Sequence, residues 1–470
     1  AESKDKQSRI TILQGIEDDT GISVKTDSNG DILFSGRTNS HDIATTGVLD
    51  SSYNGSYDIY IGKMNNQMGI LWLTYFGGSG YDNPLNMAVD KDNNVCVVGN
   101  TFSNDFPVMN AANSVYKNGD GFIVKCDPSG NLIWSTYLGG ESWNDVCNDV
   151  HIDEDGNVYV CGWTSSSNFP VQHLVKGYNQ IEYGGGGMDG FLAKYDSDGV
   201  LIWSSYLGGK GDDALCGITV DSRGSVYVAG WTNSNDYPTK NSFQRFPGRK
   251  GLSNATVSKY SGDGEFLWSI YLSGKGCDES FAIQVDYDDN IVVTGRTASK
   301  NFPVKKGAVE KHAGAYDAFV SKLDDQGRLI WSGFLGGIFK DESVSLAIST
   351  QNNIYITGNC FYPKSSQFPE KGKFQFEYTT NSQWDIFIAG FTSTGELIDS
   401  TYSLSGGLGG ESKNISFDNN GNLLVTGITT SEKYSRPRKN VPGTGFFHTR
   451  EAFILKLSLE DDGGMRAIKK

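Results

Sequence analysis

One block recurs seven times along the 470 residues, and no other feature constrains the fold as much. Its third copy reads Val158-Tyr-Val-Cys-Gly162-Trp-Thr164-Ser-Ser166-Ser-Asn-Phe169-Pro170. The fourth reads Val226-Tyr-Val-Ala-Gly230-Trp-Thr232-Asn-Ser234-Asn-Asp-Tyr237-Pro238. The anchoring glycines are Gly36, Gly99, Gly162, Gly230, Gly295, Gly358 and Gly427, spaced 63 to 69 residues apart. Length alone suggests about three ordinary domains. A repeat of this period means instead one supersecondary unit copied seven times.

Each unit carries four strand signals. Strand a ends in pairs such as Ile152-Asp153 and Val285-Asp286, and strand b is the block above. Strand c reads Asp189-Gly-Phe191-Leu-Ala-Lys194, and strand d reads Leu132-Ile-Trp134-Ser-Thr-Tyr137-Leu-Gly139-Gly140. Apolar and aromatic residues bounded by Gly, Asn and Asp are what strands require. The a–b and c–d turns are short Asp-Gly turns, such as Asp153-Glu-Asp155-Gly156-Asn157 and Asp127-Pro-Ser-Gly130. The 59 glycines and 12% aromatics fit such an all-β chain. The pattern predicts a seven-bladed β-propeller with four antiparallel strands per blade, over residues 9–458. Residues 1–8 and 459–470 are read as tails. The last unit lacks a strand d, while Arg9-Ile-Thr-Ile-Leu13 stands where a strand d should precede Ile22. This segment is expected to complete the seventh blade and close the ring, removing two exposed edges.

These residues resemble the bacterial seven-bladed β-propeller repeat family, often called SBBP. Its pattern is W-x-x-Y-L-G-G, then D-x-x-G-N-x-Y-V-x-G-x-T-x-S-x-x-F-P, then D-x-F-x-x-K. The resemblance runs from about Arg9 to Leu457 and implies the propeller fold together with a secreted or surface-associated setting. The sixth copy departs from it, with Asp399 in the strand-d Trp slot and Gly390 in the strand-c Lys slot.

Composition narrows the partners. A net charge of −15 repels phosphate backbones, so nucleic acid is not expected, nor an anionic membrane. No apolar run approaches the roughly 20 residues of a spanning helix. Seven cysteines, with no C-x-x-C pair, occupy slots filled elsewhere by Val, Tyr, Leu or Thr and read as small buried hydrophobes. Their odd count weighs against an oxidising compartment. The acidic charge, the absence of an initiating Met before Ala1, and the resemblance weigh for export, so a secreted or cell-surface location is expected.

The a–b and c–d turns are monotonous, whereas the b–c loops (171–188, 239–253 and 362–384, for example) are long and differ in every unit. Variable loops on a rigid scaffold place the working face at the b–c and d–a end. The slot after the anchor glycine varies beside an invariant frame: Arg37, Asn100, Trp163, Trp231, Arg296 and Asn359. With Trp143, Tyr178, Tyr183 and His173 these are the candidate ligand-binding residues, since aromatic faces stack on sugars or on partner side chains. Space-filling between blades is the competing role for the tryptophans. A recurring acid follows each Gly-Gly loop: Asp19, Asp82, Asp145, Asp213, Asp278, Asp341 and Glu411. Placed around the channel mouth these could hold a cation such as calcium. The structural alternative, favoured here, is that each accepts N–H bonds within its own loop. No other cofactor is implied. No H-E-x-x-H, G-x-S-x-G, Walker loop or nucleotide fingerprint occurs, and no catalytic set emerges. The expected function is a non-enzymatic extracellular or surface-displayed module that binds a glycan or protein. A structural or receptor-binding part of a larger assembly, such as a phage tail or surface layer, is the alternative. A carbohydrate-active hydrolase or lyase ranks third.

Overall fold

The computed structural model describes residues 9–13, 15–45, 48–172, 180–306, 309–361, 367–372, 384–402, 410–430, 449–459 and 464–465. The strands form seven four-stranded antiparallel sheets, each a meander in the order a-b-c-d. Six blades are continuous in sequence, at 19–76, 82–138, 145–207, 213–271, 278–335 and 341–402. The seventh takes strands a to c from 410–457 and its strand d from Arg9–Leu13, which pairs with Glu451–Leu457 so that Arg9 faces Lys456. Strand a of every blade touches strand a of both neighbours, the last blade meeting the first. The ring closes as the sequence predicts.

The anchor glycine is fixed by a bulge. In every blade strand a slips register by one residue, at 21–23 in the first and 147–149 in the third. The bulge turns a strand-a carbonyl onto strand b. A Cβ on Gly162 would overlap Val146 O, and the other six anchors meet the equivalent oxygen in the same way. Only glycine permits that approach.

The apolar core lies between blades. Seven clusters fill the seven boundaries. One, for instance, joins Trp203 and Leu192 of the third blade to Leu215 and Val228 of the fourth. The repeat motif ties each blade internally. The strand-d tyrosines Tyr75, Tyr137, Tyr206 and Tyr271 donate to the carbonyls of Ser40, Ser103, Ser166 and Ser234, the serines of T-x-S.

Neighbouring blades are locked at the a–b and c–d end. Trp134 Nε1 and Lys125 Nζ both donate to Ser197 O in the next blade's c–d turn, at 3.0 and 3.5 Å. Trp203 with Lys194, Trp268 with Lys259, and Trp331 with Lys322 do the same to Gly262 O, Asp325 O and Ser393 O. Lys63, Lys125, Lys322 and Lys456 also pair with an aspartate of their own a–b turn. Where the ring closes, Arg9 stands in the Trp slot and donates to Gln67 O, beside Lys456 on Asn66 O. Trp203→Phe removes one of two donors to Gly262 O and is expected to cost about 1–2 kcal/mol. With Lys194→Met added, the loss should exceed the sum of the single changes, because the carbonyl then has neither donor. A double-mutant cycle in urea measures this.

The sixth blade departs from the repeat for a topological reason. Its Trp and Lys would donate to a c–d turn in the seventh blade. That turn does not exist, because the seventh strand d comes from the N-terminus. Gly390 and Asp399 occupy the slots instead, and Asp399 Oδ2 accepts from Met465 N at 2.9 Å. Met465 is buried in the cluster between the sixth and seventh blades and bridges to Leu459. Part of the segment read as a C-terminal tail therefore belongs to the ring.

The b–c loops do a second job that their variability conceals. After the Phe-Pro or Tyr-Pro of the motif, the loops of the second to sixth blades turn down the outside of strand d, as in the bridges Met109 to Ser135 and Lys240 to Ser269. Ser135, Ser204 and Ser400 donate to Pro107 O, Pro170 O and Pro369 O. This fragment of a fifth strand covers the outer sheet edge. The loops then climb back, and Asp145 N and Asp213 N donate to Gly119 O and Met188 O.

Candidate functional site

The upper ends of strands a and b carry two rings of side chains. The first is the recurring acid. Asp19, Asp82, Asp145, Asp213, Asp278 and Asp341 are fully buried. Each accepts from an amide of its own loop at 2.7–2.8 Å, for example Gly140 N on Asp145 Oδ2. The Thr and Ser of T-x-S donate to the same carboxylate, as Thr38 and Ser40 do to Asp19. This is the loop-capping role, not an open ring at a channel mouth. Glu411 is not the seventh member. The pairing of Gly410 with Thr429 and of Glu411 with Ile428 puts Gly410 in the acid slot. The lengthened Gly406–Gly410 loop moved the count by one. Among the described residues no set of three or more His, Cys, Asp or Glu is arranged to hold a metal ion.

A second acid, missed in the sequence reading, completes the site. Asp58, Asp120, Asp189 and Asp317 open strand c, each facing the strand-a acid of the next blade across one glycine. A Cβ on Gly77 would lie 2.8 Å from Asp82 Oδ2 and 3.0 Å from Asp58 Oδ1. On Gly336 it would lie 2.7 Å from Asp317 Oδ1 and 2.9 Å from Asp341 Oδ2. The first glycine of the Gly-Gly loop thus leaves room for two carboxylates. The fourth blade changes both features together: Asn254 replaces the acid, and Ser273 replaces the glycine. The Oδ1 atoms of Asp58, Asp120, Asp189 and Asp341 are buried without a hydrogen-bond partner. Burial, with the opposing carboxylate adding to it, pushes Asp58 and Asp120 up to about 6 and Asp189 and Asp341 to about 7. In the sixth blade Cys360 stands in the Thr slot, so Asp341 lacks that hydroxyl donor.

The second ring is the slot after the anchor glycine. It pairs across strands with the residue following the buried acid: Arg37 with Thr20, Asn100 with Asn83, Trp163 with Val146, Trp231 with Ala214, Arg296 with Glu279, and Asn359 with Glu342. These candidates share one rim but differ in what they do. Arg37 lies over the rings of Tyr57 and Tyr81 and donates to Asn83 Oδ1, whose amide donates on to Asn100. Arg296 lies over Tyr316 and bridges Glu279 (2.6 Å) and Glu342 (2.9 Å). Asn359 accepts from Ser412 N in the seventh blade. Arg37, Arg296 and Asn359 are engaged between blades, and Asn100 within its own blade. The acids of the rim are Glu279, Glu342 and Glu411, in three successive blades, with Arg296, Lys340 and Lys413 as their cations. Their signal was the acidic residue directly after Asp278 and Asp341.

Trp163 and Trp231 form the remaining sector. Both are half-buried, and their strand-a partners are the apolar Val146 and Ala214. Trp143, on the d–a loop of the third blade, is 71% exposed, and its carbonyl accepts from Ser165 Oγ two residues beyond Trp163. Tyr183 does not join them. Its ring packs edge-on against Tyr206 and its hydroxyl donates to Gly186 O. His173 and Tyr178 lie outside the described residues. The cysteines are free and mostly buried, and burial pushes the Cys126 and Cys216 thiols up to about 12. Such burial disfavours the thiolate at these two positions. No helix among the described residues is long and apolar enough to cross a membrane.

An uncharacterized WD repeat-containing protein, L264, of Acanthamoeba polyphaga mimivirus is 21% identical over 87% of the chain. The regulatory protein FlaEY of Caulobacter vibrioides is 27% identical over 30% of it. The chain spans 35% and 15% of these relatives' lengths. Among solved structures, a Dyadobacter fermentans protein of unknown function superposes with a TM-score of 0.42 at 10% identity, covering 96% of this chain and 98% of its own. A gluconolactonase of Xanthomonas campestris gives 0.34 at 10% identity, over 75% and 92%. The family model for the SBBP β-propeller repeat matches residues 71–107, 133–170 and 202–238. Each match runs from strand d of one blade through strand b of the next, so at these three places the chain carries the SBBP β-propeller repeat.

Proposed function

We propose that this ring is a non-enzymatic binding module, secreted or displayed at the cell surface, that takes a glycan or protein on the rim of the third and fourth blades. One observation carries the reading. Around the rim, Arg37, Asn100, Arg296 and Asn359 each have a polar partner within the ring, whereas Trp163 and Trp231 pair across strands with Val146 and Ala214 beside the exposed Trp143. Trp143 leaves its indole in water, which a chain with no ligand to stack on it gains nothing from. Aromatic faces of this kind bind sugar C–H surfaces or partner side chains. The test is a broad glycan array, with and without calcium, for the parent and for Trp163→Ala/Trp231→Ala. Binding lost in a variant that melts as the parent does supports a lectin-like rim. Retained binding in the variant places the ligand elsewhere and overturns the assignment. Silence from both leaves only a protein ligand, and a pull-down that the variant performs as well as the parent also overturns it.

A further inference from the structure

The axial channel holds a second site, independent of the rim. Strand a from several blades encloses a cavity of about 370 Å³, toward the small end of ligand pockets. Two residues after each bulge a side chain reaches this level. Five blades place Ala, Thr, Gln, Ala and Ser there, while the first places Lys25 and the third His151. Both line the cavity.

Neither Lys25 nor His151 has a hydrogen-bond or ion-pair partner among the described residues, and neither is among the sealed, unsatisfied polar atoms. Their nitrogens therefore open onto the cavity. The chain's buried lysines are all partnered: Lys63, Lys125, Lys322 and Lys456 each meet an aspartate, and Lys259 donates to Asp325 O. The channel's own carboxylate, Asp149, favours the charged form of Lys25 through space but makes no hydrogen bond or ion pair with it. Asp149 Oδ1 accepts from Asn86 Nδ2 and Val150 N, and Oδ2 accepts from Ile218 N, at 2.6–2.8 Å. Its oxygens are spent on holding the second, third and fourth blades together. Burial lowers the proton affinity of both bases, and that of His151 falls to about 4. An unpaired ammonium in so enclosed a place is costly unless an anion meets it.

We propose that the channel binds one small molecule bearing an oxyanion, a carboxylate or a phosphate, with the oxyanion on Lys25 Nζ and a second polar group on the His151 imidazole. The experiment titrates the full chain with succinate and with inorganic phosphate, using sodium chloride at matched ionic strength as control. Calorimetry and the melting temperature are read for the parent, Lys25→Met, Lys25→Arg and His151→Gln. One anion is expected to bind the parent at one per chain and to raise its melting temperature saturably. Lys25→Met should weaken it at least tenfold, Lys25→Arg should keep most of the binding, and His151→Gln should weaken it less. A response to succinate alone assigns a carboxylate, and to phosphate alone a phosphate. Both anions matching chloride, or Lys25→Met binding as the parent does, overturns the proposal. Because Trp163 and Trp231 are not in this cavity, failure here is distinguishable from failure at the rim.

Discussion

Between pH 5 and pH 8 the ring is expected to lose stability, with the melting temperature falling by at least about 5 °C. Asp58, Asp120 and Asp213 are pushed up to about 6, and Asp189 and Asp341 to about 7, each chiefly by burial. A carboxyl whose proton affinity is higher folded than unfolded binds more protons in the native state. Its favourable contribution is present at low pH and is lost as pH rises from its ordinary value near 4 through its folded value. Asp127, Asp153 and Asp221 act oppositely. Burial raises them too, but the hydrogen bonds of their turns outweigh it, so their contribution is lost on acidification. The two sets bracket an optimum near pH 5. Asp189→Asn tests the cause. The chain already makes this change at Asn254, whose amide donates to Leu252 O and Arg249 O. Relieving the repulsion between Asp189 and Asp213 should raise stability at pH 8 by roughly 1–3 kcal/mol, since each tenfold in proton affinity is about 1.4 kcal/mol. At pH 5 the variant and the parent should differ little. A profile that is flat or rises from pH 5 to 8 would mean that something other than a proton neutralises these pairs. Repeating the scan with calcium and with a chelator would show whether a cation does so.

What the sequence disclosed and what it hid follow from one distinction. Local chemistry repeated seven times is legible. The anchor glycines, the Asp-Gly turns and the Arg9–Leu13 strand each announce themselves by period or by a missing partner, and the fold follows. Contacts across a blade boundary are not local. Asp120 and Asp145 lie in different blades, so nothing in one repeat shows that Gly139 separates two carboxylates. The longer Gly-Gly loop before the seventh strand a hides which residue enters the acid slot, so the spacing points to Glu411 where Gly410 belongs. Loop variability in the sequence suggests freedom to bind. In the second to sixth blades, however, the first part of the b–c loop shields strand d through backbone bonds that tolerate any side chain. The same logic sets the tryptophans apart from the other residues of the rim. Arg37 and Arg296 also vary beside the frame, yet the structure gives both of them partners.

Removing residues 460–470 is expected to open the ring at one place. Every other boundary has a strand-d residue or a strand-c lysine reaching the next blade's c–d turn, or, between the first and second blades, Trp72 against Gly130. Between the sixth and seventh blades that device cannot exist, because the chain's two ends meet there. Met465 fills the apolar gap beside Tyr355 and Leu457, and its amide serves the buried Asp399. Met465→Ala should cost about 2–4 kcal/mol, as loss of a buried Met side chain does. The deletion should cost more, since it also strips a donor from a carboxylate that is only 2% exposed. Restoring the repeat with Gly390→Lys and Asp399→Trp should not rescue the deletion, because no c–d carbonyl waits to accept. Asp399→Leu in the deleted chain should recover part of the loss by removing the stranded carboxylate. Urea melts give the free energies, and limited proteolysis should show cleavage beginning at the sixth and seventh blades. A deleted chain that melts within about 1 °C of the parent, or one rescued by the Lys and Trp pair, would remove the tail from the ring's architecture. The seam would then rest on the rest of its apolar cluster and on the bonds from Ser412 N to Asn359 and from Ile415 N to Ser345.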